Sequence, residues 1–138
     1  MAAGYSGKPL WQKLGIKPGM TVAAVGAPAN YRKLLGDVPP GAKMVAAPKA
    51  NSEFIHVFVT ERSELAEQLA MYRRAMAPDG TIWVSWPKKS SKQATDITED
   101  VIRDVAIPLG LVDVKVCAVD ATWSGLKLVI RKEERQPR

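Results

Sequence analysis

Apolar residues run along this chain in short blocks punctuated by glycine, proline and charge, and the spacing inside each block predicts an element. Residues 9–14 predict a short helix: proline suits a first turn, Leu10, Trp11 and Leu14 share a face, and Gly15 can take the left-handed closing position. Residues 20–25 (MTVAAV) form a run of the kind buried on both sides of a sheet, ended by Gly26, Ala27 and Pro28. Tyr31, Leu34 and Leu35 predict a second short helix, 37–41 a loop, and 43–47 a weak strand closed by Pro48. Residues 54–59 (FIHVFV) are dense in aromatic and β-branched side chains and predict the strongest strand.

The second half repeats the alternation with longer periods. Leu65, Leu69, Tyr72 and Met76 fall at helical spacing within 61–76. Glu61, Glu64 and Glu67 lie early and Arg73 and Arg74 late, which complements the helix dipole. Pro78, Asp79 and Gly80 predict a turn and 81–86 (TIWVSW) a strand. Residues 87–95 are polar and predict the most mobile loop. Asp96 and Glu99 have capping-box spacing ahead of a helix carrying Ile97, Val101, Ile102, Val105 and Ala106. Residues 111–119 and 126–132 predict two strands joined closely enough to be a hairpin. A single domain over 1–132 follows, with 133–138 a frayed tail. Its class is α/β, a Rossmann-like open sheet, mainly parallel, with a C-terminal antiparallel hairpin strand.

Composition narrows the function classes. The 138 residues are 46% hydrophobic and 25% charged, ordinary for one folded domain. No apolar run is long enough to cross a bilayer, and the first six residues lack the pattern of a secretion signal, so a cytoplasmic protein without membrane contact is expected. One cysteine, Cys117, and one histidine, His56, allow neither an internal disulfide nor a zinc cluster, and no metal is expected. Cys117 sits in an apolar stretch, where a small buried hydrophobe is expected, and His56 lies mid-strand, where a packed or half-exposed structural histidine is expected. The net charge of +6 falls wholly in the first fifty residues, where seven cations face one acid, Asp37. The remainder carries thirteen of each sign. Such a bias suits an acidic partner or nucleic acid, with solvated lysines as the plainer reading.

Two stretches, 14–22 (LGIKPGMTV) and 77–84 (APDGTIWV), resemble class I methyltransferases around their first strand and the strand after their central helix. That resemblance implies the strand order 2-1-3-4-6-5, with the last strand inserted antiparallel. A closer resemblance is to a family of small bacterial proteins known as a domain of unknown function. It is carried by 5–10 (YSGKPL), 59–62 (VTER), 84–89 (VSWPKK) and 122–127 (TWSGLK), and it implies no activity.

S-adenosylmethionine binding in the methyltransferase fold depends on a glycine-rich turn after strand one and an acid ending strand two. Here the turn is Gly26-Ala27-Pro28-Ala29-Asn30, with a proline that lacks an N–H, and strand two ends Ala46-Ala47-Pro48 without a carboxylate. No cofactor is therefore expected. Ligands of open α/β sheets bind beyond the carboxyl ends of the strands. That edge would gather Gly26 and Tyr31, then Thr60, Glu61 and Arg62, then Trp86, Lys88 and Lys89 as candidate ligand-binding residues. The leading expectation is a non-catalytic or regulatory domain binding a small anionic ligand or a protein there. One alternative is a divergent transferase with Glu61 as base and Lys88 or Lys89 on an anionic substrate. The other is a nucleic-acid-binding module using the basic first third with Lys88, Lys89 and Lys92.

Overall fold

The computed structural model describes residues 7–135. Six strands form one sheet in the order β2-β1-β3-β4-β6-β5, as the methyltransferase resemblance implies. They are β1 (Thr21–Val25), β2 (Lys43–Val45), β3 (Ser52–Phe58), β4 (Met76–Pro87), β5 (Leu111–Ala118) and β6 (Trp123–Ile130). β2, β1, β3 and β4 are parallel, while β6 enters antiparallel between β4 and β5. Helices α1 (Leu10–Leu14) and α2 (Tyr31–Leu35) pack on one face, and α3 (Arg62–Ala75) and α4 (Glu99–Ala106) on the other.

Strand alternation divides the core. Ile55, Val57, Ile82, Val84, Leu126 and Leu128 point under α3 and α4, joined there by Leu65, Leu69 and Ile102. Phe54, Phe58, Trp83 and Val22 point under α1 and α2, joined by Leu14 and Leu35. The fully buried Trp83 donates its indole N–H to the Leu14 carbonyl at 2.9 Å, which fixes the end of α1 over the sheet. Gly15 follows with φ of 89° and closes that helix as expected.

Two local expectations change. Pro78, Asp79 and Gly80 make no free turn: they form a bulge inside β4, since Ser52 pairs with Met76 and Phe54 already with Thr81. A side chain on Gly80 would meet the Ser52 carbonyl at 2.8 Å, so glycine lets the two backbones close around the bulge. Asp96 does not cap α4. Thr98 does, its Oγ1 accepting from the Val101 amide, while Asp96 accepts from the Arg62 amide at 2.7 Å. The 87–95 segment is tied at both ends, by Lys88 N–H to the Thr122 carbonyl and by the Thr95 hydroxyl to the Thr60 carbonyl.

Connections matter as much as elements. β2 reaches β3 through only six residues, 46–51, passing from one side of β1 to the other without a helix. Parallel crossovers ordinarily take a dozen residues or more. β5 carries a bulge in which Asp113 pairs with Leu128 and Lys115 with Lys127, leaving Val114 as the extra residue. At the end of the chain, where the tail was expected to begin, Lys132–Glu134 makes a 3-10 turn and Glu134 bonds Arg131 at 2.7 Å. Tyr5, Ser6 and residues 136–138 lie outside the described residues.

Candidate functional site

The sheet brings the carboxyl ends of β1, β3 and β4 side by side, and the eight residues singled out in the sequence lie at or beside them. Gly26 ends β1 with φ of 69°, and an added side chain there would meet the Phe58 carbonyl at 2.9 Å. It is therefore required for close approach to β3. Thr60 is half-buried with its carbonyl taken by Thr95, and Glu61 is the exposed residue ahead of α3. Arg62 and Lys89 are exposed and Lys88 half-buried.

The two aromatic candidates part company. Trp86 continues the Ile82, Val84 alternation and is buried under α3 and α4, 8% exposed. Tyr31 opens α2 and is buried on the opposite face. They do not form an aromatic pair on one surface, and the accessible part of this edge is charged and hydroxylic.

Beneath it lies an arrangement that the residue pattern did not reveal. His56, wholly buried, has the Tyr31 hydroxyl 2.8 Å from Nδ1 and the Ser85 hydroxyl 2.7 Å from Nε2. A neutral imidazole accepts at one nitrogen and donates at the other, so both hydroxyls are satisfied without any charge. Burial lowers the His56 pKa to about 3 and raises that of Tyr31, which keeps the whole chain neutral across the physiological range. Phe58 stacks on the imidazole at 4.3 Å, and Tyr31 and Trp123 meet Phe58 edge-on at 5.5 and 5.1 Å. Serine, histidine and a third hydrogen-bonding group in line have the connectivity of a nucleophile relay. Ser85 and His56 are both 0% exposed, however, so the chain serves as a buried polar strut between β3, β4 and α2.

A second feature lies at the opposite edge of the sheet. An open groove of about 990 Å³ has Thr21, Lys43 and Val45 as its floor, with residues 49–53 and 77–79 as its walls. It exists because the six-residue crossover leaves the α3 side of β1 and β2 without a helix. None of the eight sequence-derived candidates lines it. Among the described residues no group of histidine, cysteine and carboxylates could hold a metal ion, and no helix is long and apolar enough to cross a membrane. Cys117 is buried; desolvation raises its pKa, and Lys13 and Lys115 partly oppose the rise.

The residues present do not fit S-adenosylmethionine as the methyltransferase frame would hold it. Pro28 has no N–H, its carbonyl is spent on the Tyr31 amide at 3.0 Å, and Gly26 is committed to packing on Phe58. β2 ends at Val45 and runs into Ala46, Ala47 and Pro48, which offer no carboxylate for a ribose.

Comparison with known proteins agrees on the frame. The chain is similar to a SAM dependent methyltransferase from Aquifex aeolicus at 17% identity, covering 86% of this chain and 87% of that one, with a TM-score of 0.60. It is similar to a protein from Sulfolobus solfataricus provisionally assigned as a type 11 methyltransferase, at 13% identity, 94% of both chains and a TM-score of 0.62. A ribosomal protein L11 methylase from Lactobacillus delbrueckii subsp. bulgaricus aligns at 12% identity over 88% of this chain and 74% of that one, with a TM-score of 0.55. At such identities the likeness is one of fold. No curated protein matches the sequence. The family model "Protein of unknown function (DUF3052)" matches residues 48–132, from the crossover through the closing hairpin, and the chain belongs to that family.

Proposed function

We propose that the protein is a non-catalytic binding domain: a methyltransferase-like frame without the means to hold the methyl donor, taking a small anionic ligand or a protein partner at the carboxyl edge of its sheet. The observation that carries this reading is the missing pair of anchors. The first loop is closed by Pro28 and by Gly26 against Phe58, and no carboxylate follows β2. The accessible groups at the edge, Arg62, Lys88 and Lys89 beside Glu61, carry net positive charge, which favours an anion. The Tyr31, His56 and Ser85 set nearby is buried and neutral, which suits a structural strut and supports binding over catalysis.

Nitrogen-15 NMR titration with S-adenosylhomocysteine tests it, following the amides of residues 26–31 and 60–62 and the indole signals of Trp86 and Trp123. Signals that stay in place at millimolar ligand, with shifts at Arg62, Lys88 or Lys89 on adding phosphorylated metabolites, are the expected outcome. Saturable shifts at Gly26 and Tyr31 with S-adenosylhomocysteine, or methyl transfer with turnover that Glu61→Gln abolishes, would overturn the reading in favour of a divergent transferase.

A further inference from the structure

Charge is segregated across the sheet. The five ion pairs among the described residues involve α3, α4, β5 and the C-terminal turn: Arg103 with Glu99, Asp100 and Asp113, and Glu134 with Arg73 and Arg131. The α1 and α2 face is different. α1 carries Lys13 and α2 carries Arg32 and Lys33, with no acid in either helix. Beside α1 the face continues onto the closing hairpin, where Lys115 and Lys127 stand directly opposite one another and Lys127 pairs in register with Trp83, the residue under α1. Lys115 Nζ donates to the Lys13 carbonyl at 3.1 Å, which ties the hairpin cations to the helix. None of these five side chains makes an ion pair among the described residues.

We infer that the α1–α2 face, with Lys13, Arg32, Lys33, Lys115 and Lys127, binds the phosphodiester backbone of single-stranded nucleic acid. Like charges directly opposite in adjacent strands destabilise a free sheet, and a bound anion relieves that cost. The face extends from the helices over β3 to the β5 edge, three strand spacings or about 14 Å, room for a short run of one strand's backbone. Leu10, Leu14, Tyr31 and Leu35 are buried beneath, and Trp11 and Leu34 keep only part of their apolar surface outside, too little for the broad apolar face that enters a lipid layer. Trp11 favours nucleic acid over an acidic protein. It is half-buried on α1, its Cδ1 3.8 Å from where a side chain on Gly36 at the end of α2 would begin, and so lies between the two groups of cations with ring surface left for a base.

Fluorescence anisotropy of the whole protein with a labelled mixed-sequence 16-mer, single-stranded and as a duplex, decides the matter. Phosphate contacts by all five cations make single-strand affinity fall roughly a hundredfold between 50 and 200 mM salt, with each cation removed lowering the salt slope by about 0.7. Lys127→Glu relieves the pair with Lys115 and so folds at least as well as the parent; it and Arg32→Glu/Lys33→Glu should each weaken binding at least tenfold. Arg74→Glu, exposed on α3, should leave binding unchanged. Binding absent at 50 mM salt, binding insensitive to salt, equal loss with Arg74→Glu, tighter binding to the duplex, or equal competition by polyglutamate would each overturn the inference.

Discussion

The two faces of the sheet are built on different principles. Under α3 and α4 the core is mainly aliphatic, with Tyr72 and Trp86 at its margin: Leu65, Leu69, Ile102, Leu126 and Leu128 are all 0% exposed, and the charges above them are paired or near balance. Under α1 and α2 the core is rich in aromatics and wraps a line of three polar groups, and the helices above carry Lys13, Arg32 and Lys33, none of them in an ion pair among the described residues. The first face's buried core gains its stability from apolar area, so that contribution is indifferent to pH. The second gains part of it from a histidine that must stay neutral, and that part depends on acidity.

Three perturbations probe this contrast, in falling order of effect. Leu69→Ala removes packing from the aliphatic face and should cost about 3–5 kcal/mol in denaturant unfolding, by the same amount at pH 7 and pH 4. A cost that changes with pH would blur the distinction. His56→Leu strands the Tyr31 and Ser85 hydroxyls and should cost about 2–4 kcal/mol at pH 7. Because folding lowers the His56 pKa from 6.5 to about 3, the unfolded chain takes up the proton first as pH falls. The stability contributed by the neutral imidazole is complete above pH 6.5 and declines between 6.5 and 3, by up to about 5 kcal/mol. The gap between parent and His56→Leu should therefore narrow from pH 7 to pH 4. A constant gap would refute the linkage. Tyr31→Phe removes one end of the strut with its ring retained and should cost about 1–2 kcal/mol while keeping the pH dependence, since His56 remains buried.

The frame was largely legible in the sequence, because the strands and helices announce themselves through local periodicity. The apolar run at 54–59 became β3 and the heptad-like spacing of Leu65, Leu69 and Tyr72 became α3. Position of a residue at a strand end was legible too, but not which way it faces. Tyr31 and Trp86 share an edge and are separated by the sheet; only the alternation of Ile82, Val84 and Trp86 against Trp83 and Ser85 carries that information. The Tyr31, His56, Ser85 line was hidden for a further reason. Its members lie 25 and 29 residues apart in sequence and meet only once the register of β3 against β4 and the seat of α2 are set. Asp96 was misassigned as a cap because its spacing to Glu99 is local, whereas its partner, the Arg62 amide, is 34 residues away.

The bulge in β5 has a consequence for the protein at high concentration. β5 is an outer strand, and Val114 and Val116 are about half exposed on it, the combination that lets one molecule extend the sheet of another into an aggregate. Inserting Val114 as an unpaired residue breaks the even ladder of free amides and carbonyls, and Lys115 beside it adds charge to the rim. A neighbouring strand finds no continuous register to copy along this rim, which works against edge-to-edge growth.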